Sequence, residues 1–114
     1  MIAHVVLFRP KPQLSADERA AFIAALEHAL NHIALIKRAR IGRRIVAGRR
    51  QYDQQNVGDY PFAAILEFDN EADLRTYLDH PAHRALGEQF YLTAESALVF
   101  DYDLLEKDRV VGLL

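Results

Sequence analysis

Two histidines, a tyrosine and an aspartate crowd into Tyr77-Leu78-Asp79-His80-Pro81-Ala82-His83, and a second acidic position follows in Phe100-Asp101-Tyr102. An imidazole with an unperturbed pKa of about 6.5 can give or take a proton at neutral pH. A carboxylate on its other nitrogen fixes the tautomer and favours the imidazolium. A tyrosine, with a pKa of about 10, stays protonated and can donate a hydrogen bond to a carbonyl oxygen. This set suits enolisation, aldol closure or lactonisation. It lacks a nucleophile: the chain has no cysteine, and no serine stands in the motif. The same residues also fit a buried His83–Asp101 hydrogen bond that ties a bend to the last strand, or a ligand pocket without chemistry. On the residues alone these three readings stay open.

Pro81 interrupts any helix through this segment, so the histidines fall on a bend. His4 shares a strand face with Ile2, Val6 and Phe8, while Asp101 shares one with Ala97 and Val99. If both are the helix-facing side, His4, Asp101, Tyr77 and His83 converge on one cavity between sheet and helices. Its apolar neighbours would be Val6, Phe22, Leu26, Ala64, Leu86 and Val99, a lining for a small, partly aromatic or acyl-chain ligand.

The positioning elements follow from periodicity. Ile2–Phe8 is a strand apolar on both faces, stopped by Pro10 and Pro12. Ser15 and Glu18 form a capping box opening a helix, with Phe22, Ile23, Leu26, Leu30 and Ile33 as its stripe. A second strand spans about Arg38–Val46, then a polar loop runs from Ala47 to Tyr60 with Gly48, Asn56 and Gly58. A third strand is Phe62–Phe68. Asn70 caps a helix over Glu71–Asp79, a further helical piece covers about Ala82–Tyr91, and the last strand is Ser96–Leu104. The order β-α-β-β-α-β predicts an α+β, ferredoxin-like fold: a four-stranded antiparallel sheet with helices on one face. That leaves Val5, Leu7, Ala63, Ile65, Leu98 and Phe100 as an uncovered apolar face, and the simplest cover is a second copy. Residues 1–104 form the domain; 105–114 are a tail placed to pack on the partner subunit.

Length, 114 residues, fits one domain. A net charge of −2 speaks against a nucleic-acid protein. Lys37, Arg38, Arg40, Arg43, Arg44, Arg49 and Arg50 nevertheless hold half of the 14 Lys and Arg. The second strand offers no aromatic for base stacking, so a solvated, acid-pairing surface is the better reading. His28 and His32 share a helix face and His80 and His83 are three apart, but no third ligand completes a metal site. No membrane span or signal peptide is expected, and the absence of cysteine suits a cytoplasmic location.

The opening Ile2-Ala3-His4-Val5-Val6-Leu7-Phe8, Gly42, Phe68, the His80-Pro81-Ala82-His83 segment and the closing Val99-Phe100-Asp101-Tyr102 resemble the dimeric α/β-barrel (Dabb) family of stress-responsive proteins over about residues 1–103. The resemblance implies a ferredoxin-like protomer pairing through its sheet into an α/β barrel. One member is a polyketide cyclase that works by aldol condensation without a cofactor. By resemblance His83 matches its acid–base residue, Tyr77 the assisting tyrosine, Asp101 the aspartate that orients the histidine, and His4 a further pocket histidine. Phe62 stands where the cyclase has a histidine, and Ala94 where it has an aromatic residue, which implies a reshaped pocket.

Overall fold

The computed structural model describes residues 1–56 and 58–114. Four strands, β1 (Ile2–Pro10), β2 (Arg38–Arg43), β3 (Phe62–Phe68) and β4 (Ala94–Asp103), form one antiparallel sheet in the order β2-β3-β1-β4. Helices α1 (Ala16–His32), α3 (Glu71–Asp79) and α4 (Pro81–Thr93) lie against one face, and a short α2 (Arg50–Gln55) sits in the β2–β3 connection. This is the ferredoxin-like arrangement.

Local chemistry places the helix starts. Ser15 accepts from the Glu18 backbone N–H while the Glu18 carboxylate accepts from that of Ser15, closing the capping box. Asn70 caps α3 by accepting from the Asp73 backbone N–H at 2.8 Å. The core lies under β1 and β3, where Leu66 and Phe68 meet Ala29 of α1, Ile33 at its C-cap, and Leu74, Tyr77 and Ala82 of the α3–α4 pair. Parity along β1 holds: His4 pairs with Leu66 and Asp101, and Val6 with Ala64 and Val99, all on the helix side.

The opposite sheet face carries Val5, Leu7 and Ala63, half-buried, and Ile65, Leu98 and Phe100, which are 43%, 38% and 49% exposed. Tyr102 extends the same face, and at its other end Asn56, Gly58 and Tyr60 border Leu7, Ala63 and Leu98.

Several boundaries differ from the expectation. Strand β1 continues through Pro10, where a register shift after Arg9 accommodates the missing donor. Strand β2 ends at Arg43 rather than Val46, and Ile45 and Val46 are exposed. The expected loop from Ala47 to Tyr60 contains α2, whose Arg, Gln and Asp residues form helix without an apolar stripe to announce it. Gly48, at φ +75°, turns the chain into α2. Arg44 bonds the Asp59 carboxylate, and Arg9 donates to the Asp59 carbonyl at 3.0 Å, anchoring this excursion to β1. Beyond β4, Lys107–Gly112 form a 3-10 helix with Val110 and Val111 exposed. Among the described residues no helix is long and apolar enough to cross a membrane.

Candidate functional site

The α3–α4 junction builds one wall of the site. Helix α3 ends at Asp79, and Pro81 opens α4 at a position where its missing N–H costs nothing. His80 caps α4: its Nδ1 accepts from the Ala82 backbone N–H at 3.0 Å. His83 does the converse for α3. Its Nδ1 lies 3.0 Å from the carbonyl oxygen of Leu78, one of the carbonyls left without a helical donor in the last turn. A carbonyl only accepts, so Nδ1 carries the proton, and in the neutral ring the lone pair sits on Nε2.

His4 faces the same space from the sheet. Its register partner on β4 is Asp101, and Nδ1 of His4 meets Oδ1 of Asp101 at 2.6 Å. The pair is asymmetric in exposure, with a His4 side chain at 5% and an Asp101 side chain at 42%. The structure therefore corrects the expected partnership: Asp101 orients His4 rather than His83. Directly opposed residues of an antiparallel pair bring their Cβ atoms within about 5 Å, whereas His83 arrives from a helix and spends its Nδ1 on Leu78.

Tyr77 links the two imidazoles. Its ring centroid is 4.7 Å from that of His83 and 5.7 Å from that of His4. Burial, reinforced by the negative charge of Asp101, pushes the phenol up to about 12. Burial also holds the His83 imidazole below its usual value; the Leu78 carbonyl opposes this and His4 adds to it. Neutral imidazole and neutral phenol are thus the resting forms. Among the described residues, no side-chain polar atom is both enclosed and unpaired. Among the described residues the Tyr77 hydroxyl and His83 Nε2 have no hydrogen-bond partner, and both side chains line the cavity.

His4, Tyr77 and His83 stand at one end of a cavity of about 290 Å³ between the sheet and the helices. Val6, Phe22, Leu26, Ala64, Leu86 and Val99 line it. Asp101 does not; it stands behind His4 as a positioning group. Sequence reasoning missed Phe8, Leu66, Ile41, Gly87 and Phe90 in the lining. Signals existed for most: Phe8 shares the parity of His4, and Gly87 and Phe90 lie four and seven residues after His83 on one helical face. Phe90, Phe22 and Phe8 cluster at the far end with centroids 5.4–6.2 Å apart. Phe62 lies tilted against Phe8, centroids 5.5 Å apart, outside this cavity. Ala94 is likewise absent from its wall.

The remaining singled-out groups go elsewhere. His28 and His32 stack at 4.1 Å, with His32 Nδ1 bonded to the His28 carbonyl. Of the basic segment, Lys37 pairs with Asp69, Arg38 with Glu67, and Arg44 with Asp53 and Asp59.

Known structures share this architecture. A dimeric ferredoxin-like protein of unknown function from Thermobifida fusca is 26% identical over 90% of both chains, with a TM-score of 0.68. A Dabb family protein with a ferredoxin-like fold from Mesorhizobium loti is 26% identical, covering 92% of this chain and 97% of its own, with a TM-score of 0.70. The hydroxynitrile lyase of Passiflora edulis is 21% identical over 93% of this chain and 94% of its own, with a TM-score of 0.77, a likeness of fold. No curated protein matches the sequence. The profile of the Stress responsive A/B Barrel Domain (Dabb) matches residues 2–104, and the chain belongs to that family.

Proposed function

We propose that this protein is a cytoplasmic homodimer that binds a small, mainly apolar carbonyl compound and moves protons on it without a cofactor. The observation that carries this reading is the Tyr77 hydroxyl and His83 Nε2, unpaired among the described residues, beside His4 at one end of a cavity otherwise lined by apolar residues. His83 Nε2 takes a proton from the carbon beside the carbonyl. The Tyr77 hydroxyl donates to the oxygen on which the enolate charge develops. The enolate carbon then attacks a second carbonyl of the same ligand, and the His83 imidazolium returns its proton to the new alkoxide. That is an aldol ring closure; attack through the enolate oxygen on an ester would instead close a lactone, the ester's own C–O bond breaking and its alkoxide leaving as the alcohol with the proton of the His83 imidazolium. His4, its Nδ1–H donated to Asp101, keeps its other ring nitrogen, Nε2, as an acceptor for a hydroxyl of the ligand. The Passiflora edulis lyase supports the reading to the extent that an enzyme is carried by the same scaffold.

The dimer rests on the uncovered apolar face around Ile65, Leu98 and Phe100 and on the named dimeric state of the Thermobifida fusca protein. The apolar tail residues Val110, Val111 and Leu113, exposed in a single chain, pack on the partner. Pairing of three of the seven clustered basic residues with carboxylates favours a solvated surface over a nucleic-acid site.

The test is a panel of linear di- and triketones offered to chelator-treated protein, with ring closure followed by chromatography. Closure by the wild type, lost in His83→Ala with the far-ultraviolet spectrum unchanged, is the expected result. Binding of the panel without ring closure would leave a binding protein only, and equal closure in both proteins would remove His83 from the chemistry.

A further inference from the structure

A second cleft adjoins the first cavity and differs from it in one respect: it is cationic. It measures about 920 Å³, and Phe8, Phe22, Leu26 and Ile41 line both spaces. Beyond those shared side chains its wall includes Lys11, Arg19 and Arg43, with no aspartate or glutamate. Among the described residues none of these three cations has a carboxylate within salt-bridge distance. Glu18 is the acid that feels Lys11, and its carboxylate is held at the Ser15 backbone in the capping box. The first cavity carries neither Lys, Arg, Asp nor Glu in its wall.

We infer that the ligand is an anionic amphiphile, its charged head held by Lys11, Arg19 and Arg43 in the outer cleft and its apolar chain running past Phe8 and Phe22 to the His83–Tyr77 end. Distances along the sheet set its length. Arg43 shares a row with Phe62 and Phe8, and Phe8 is four residues from His4 on β1, about 13 Å along the strand. A cavity of about 290 Å³ holds only the smallest of ordinary ligands, whereas the two spaces together take a medium-length chain. Unpaired guanidinium and ammonium groups on an apolar wall reward an anion and penalise a cation there. This inference names the ligand class of the site proposed above but does not depend on the chemistry at His83.

Calorimetric titration with decanoate, decyl phosphate, decanol and decylamine tests it. Both anions should bind at least about tenfold tighter than decanol, the value of one charge-assisted hydrogen bond, and decylamine most weakly. Decanoate binding tighter than decyl phosphate assigns a carboxylate head; the reverse order assigns a phosphate. The anion preference should shrink in high salt and in Arg19→Gln/Arg43→Gln, two exposed positions whose change leaves the core untouched. Equal binding of decanol and the anions, or unchanged decanoate affinity in the double variant, overturns it. Because binding needs no turnover, head-group selectivity without ring closure defeats only the acid–base reading, and ring closure without selectivity defeats only this one.

Discussion

His83 serves two ends at once: it closes the last turn of α3 through Nδ1 and offers Nε2 to the cavity. Its pKa is held low mainly by burial, so the native state favours the neutral ring while the unfolded chain takes up protons below about pH 6.5. The stability from this preference is full above that pH and is lost as pH falls through the lower native value. Thermal melts taken from about pH 7.5 down to about pH 5 should therefore show a smaller acid loss in His83→Gln than in the wild type. Tyr77 has the opposite sign. Its phenol is raised to about 12, so the native state holds a proton that the unfolded chain gives up from about pH 10, and stability falls above that pH. Tyr77→Phe should flatten this alkaline loss. Asp101→Ala should cost about 1–3 kcal/mol by denaturant titration, because the buried His4 Nδ1 loses its partner. These residues were legible as a group from composition and strand parity. The pairing of Asp101 with His4 was not, because which residues oppose each other across β1 and β4 is set by long-range register.

At the level of elements, His80-Pro81-Ala82-His83 is a splice between two helices. One histidine caps the helix that begins and the other the helix that ends, and Pro81 makes the break between them. His80→Ala should destabilise the protein by about 1 kcal/mol, as losing an N-cap does, with little effect on ligand affinity because His80 is absent from the cavity wall. Ser15, Asn70 and the alternating β1 and β3 carry their structure in their own spacing, and those elements were readable. Helix α2 was not: Arg50–Gln55 has Tyr52 as its single apolar-bodied residue and no stripe, and it is tied down by Arg44, which pairs with Asp53 in the helix and Asp59 beyond it. The outer cleft was equally hidden, because Lys11 of the β1–α1 connection, Arg19 of α1 and Arg43 of β2 come to one wall only in the folded chain.

At the scale of the whole molecule the sheet has two apolar faces and helices for one. Phe100→Asp places an unpaired charge in the proposed interface, and sedimentation should shift from about twice the 13.0 kDa chain mass toward the monomer. Removing residues 105–114 should weaken the dimer without abolishing it, since the sheet face remains. The acid–base site itself is tested most directly without knowing the natural substrate. Incubate the chelator-treated protein in deuterium oxide with small apolar ketones, and follow deuterium entry beside the carbonyl by NMR. Saturable exchange above the buffer rate, abolished in His83→Ala and reduced in Tyr77→Phe, is the expected outcome. Exchange no faster than buffer across the panel, or exchange indifferent to His83, would contradict the assignment of this cavity as a site of proton transfer.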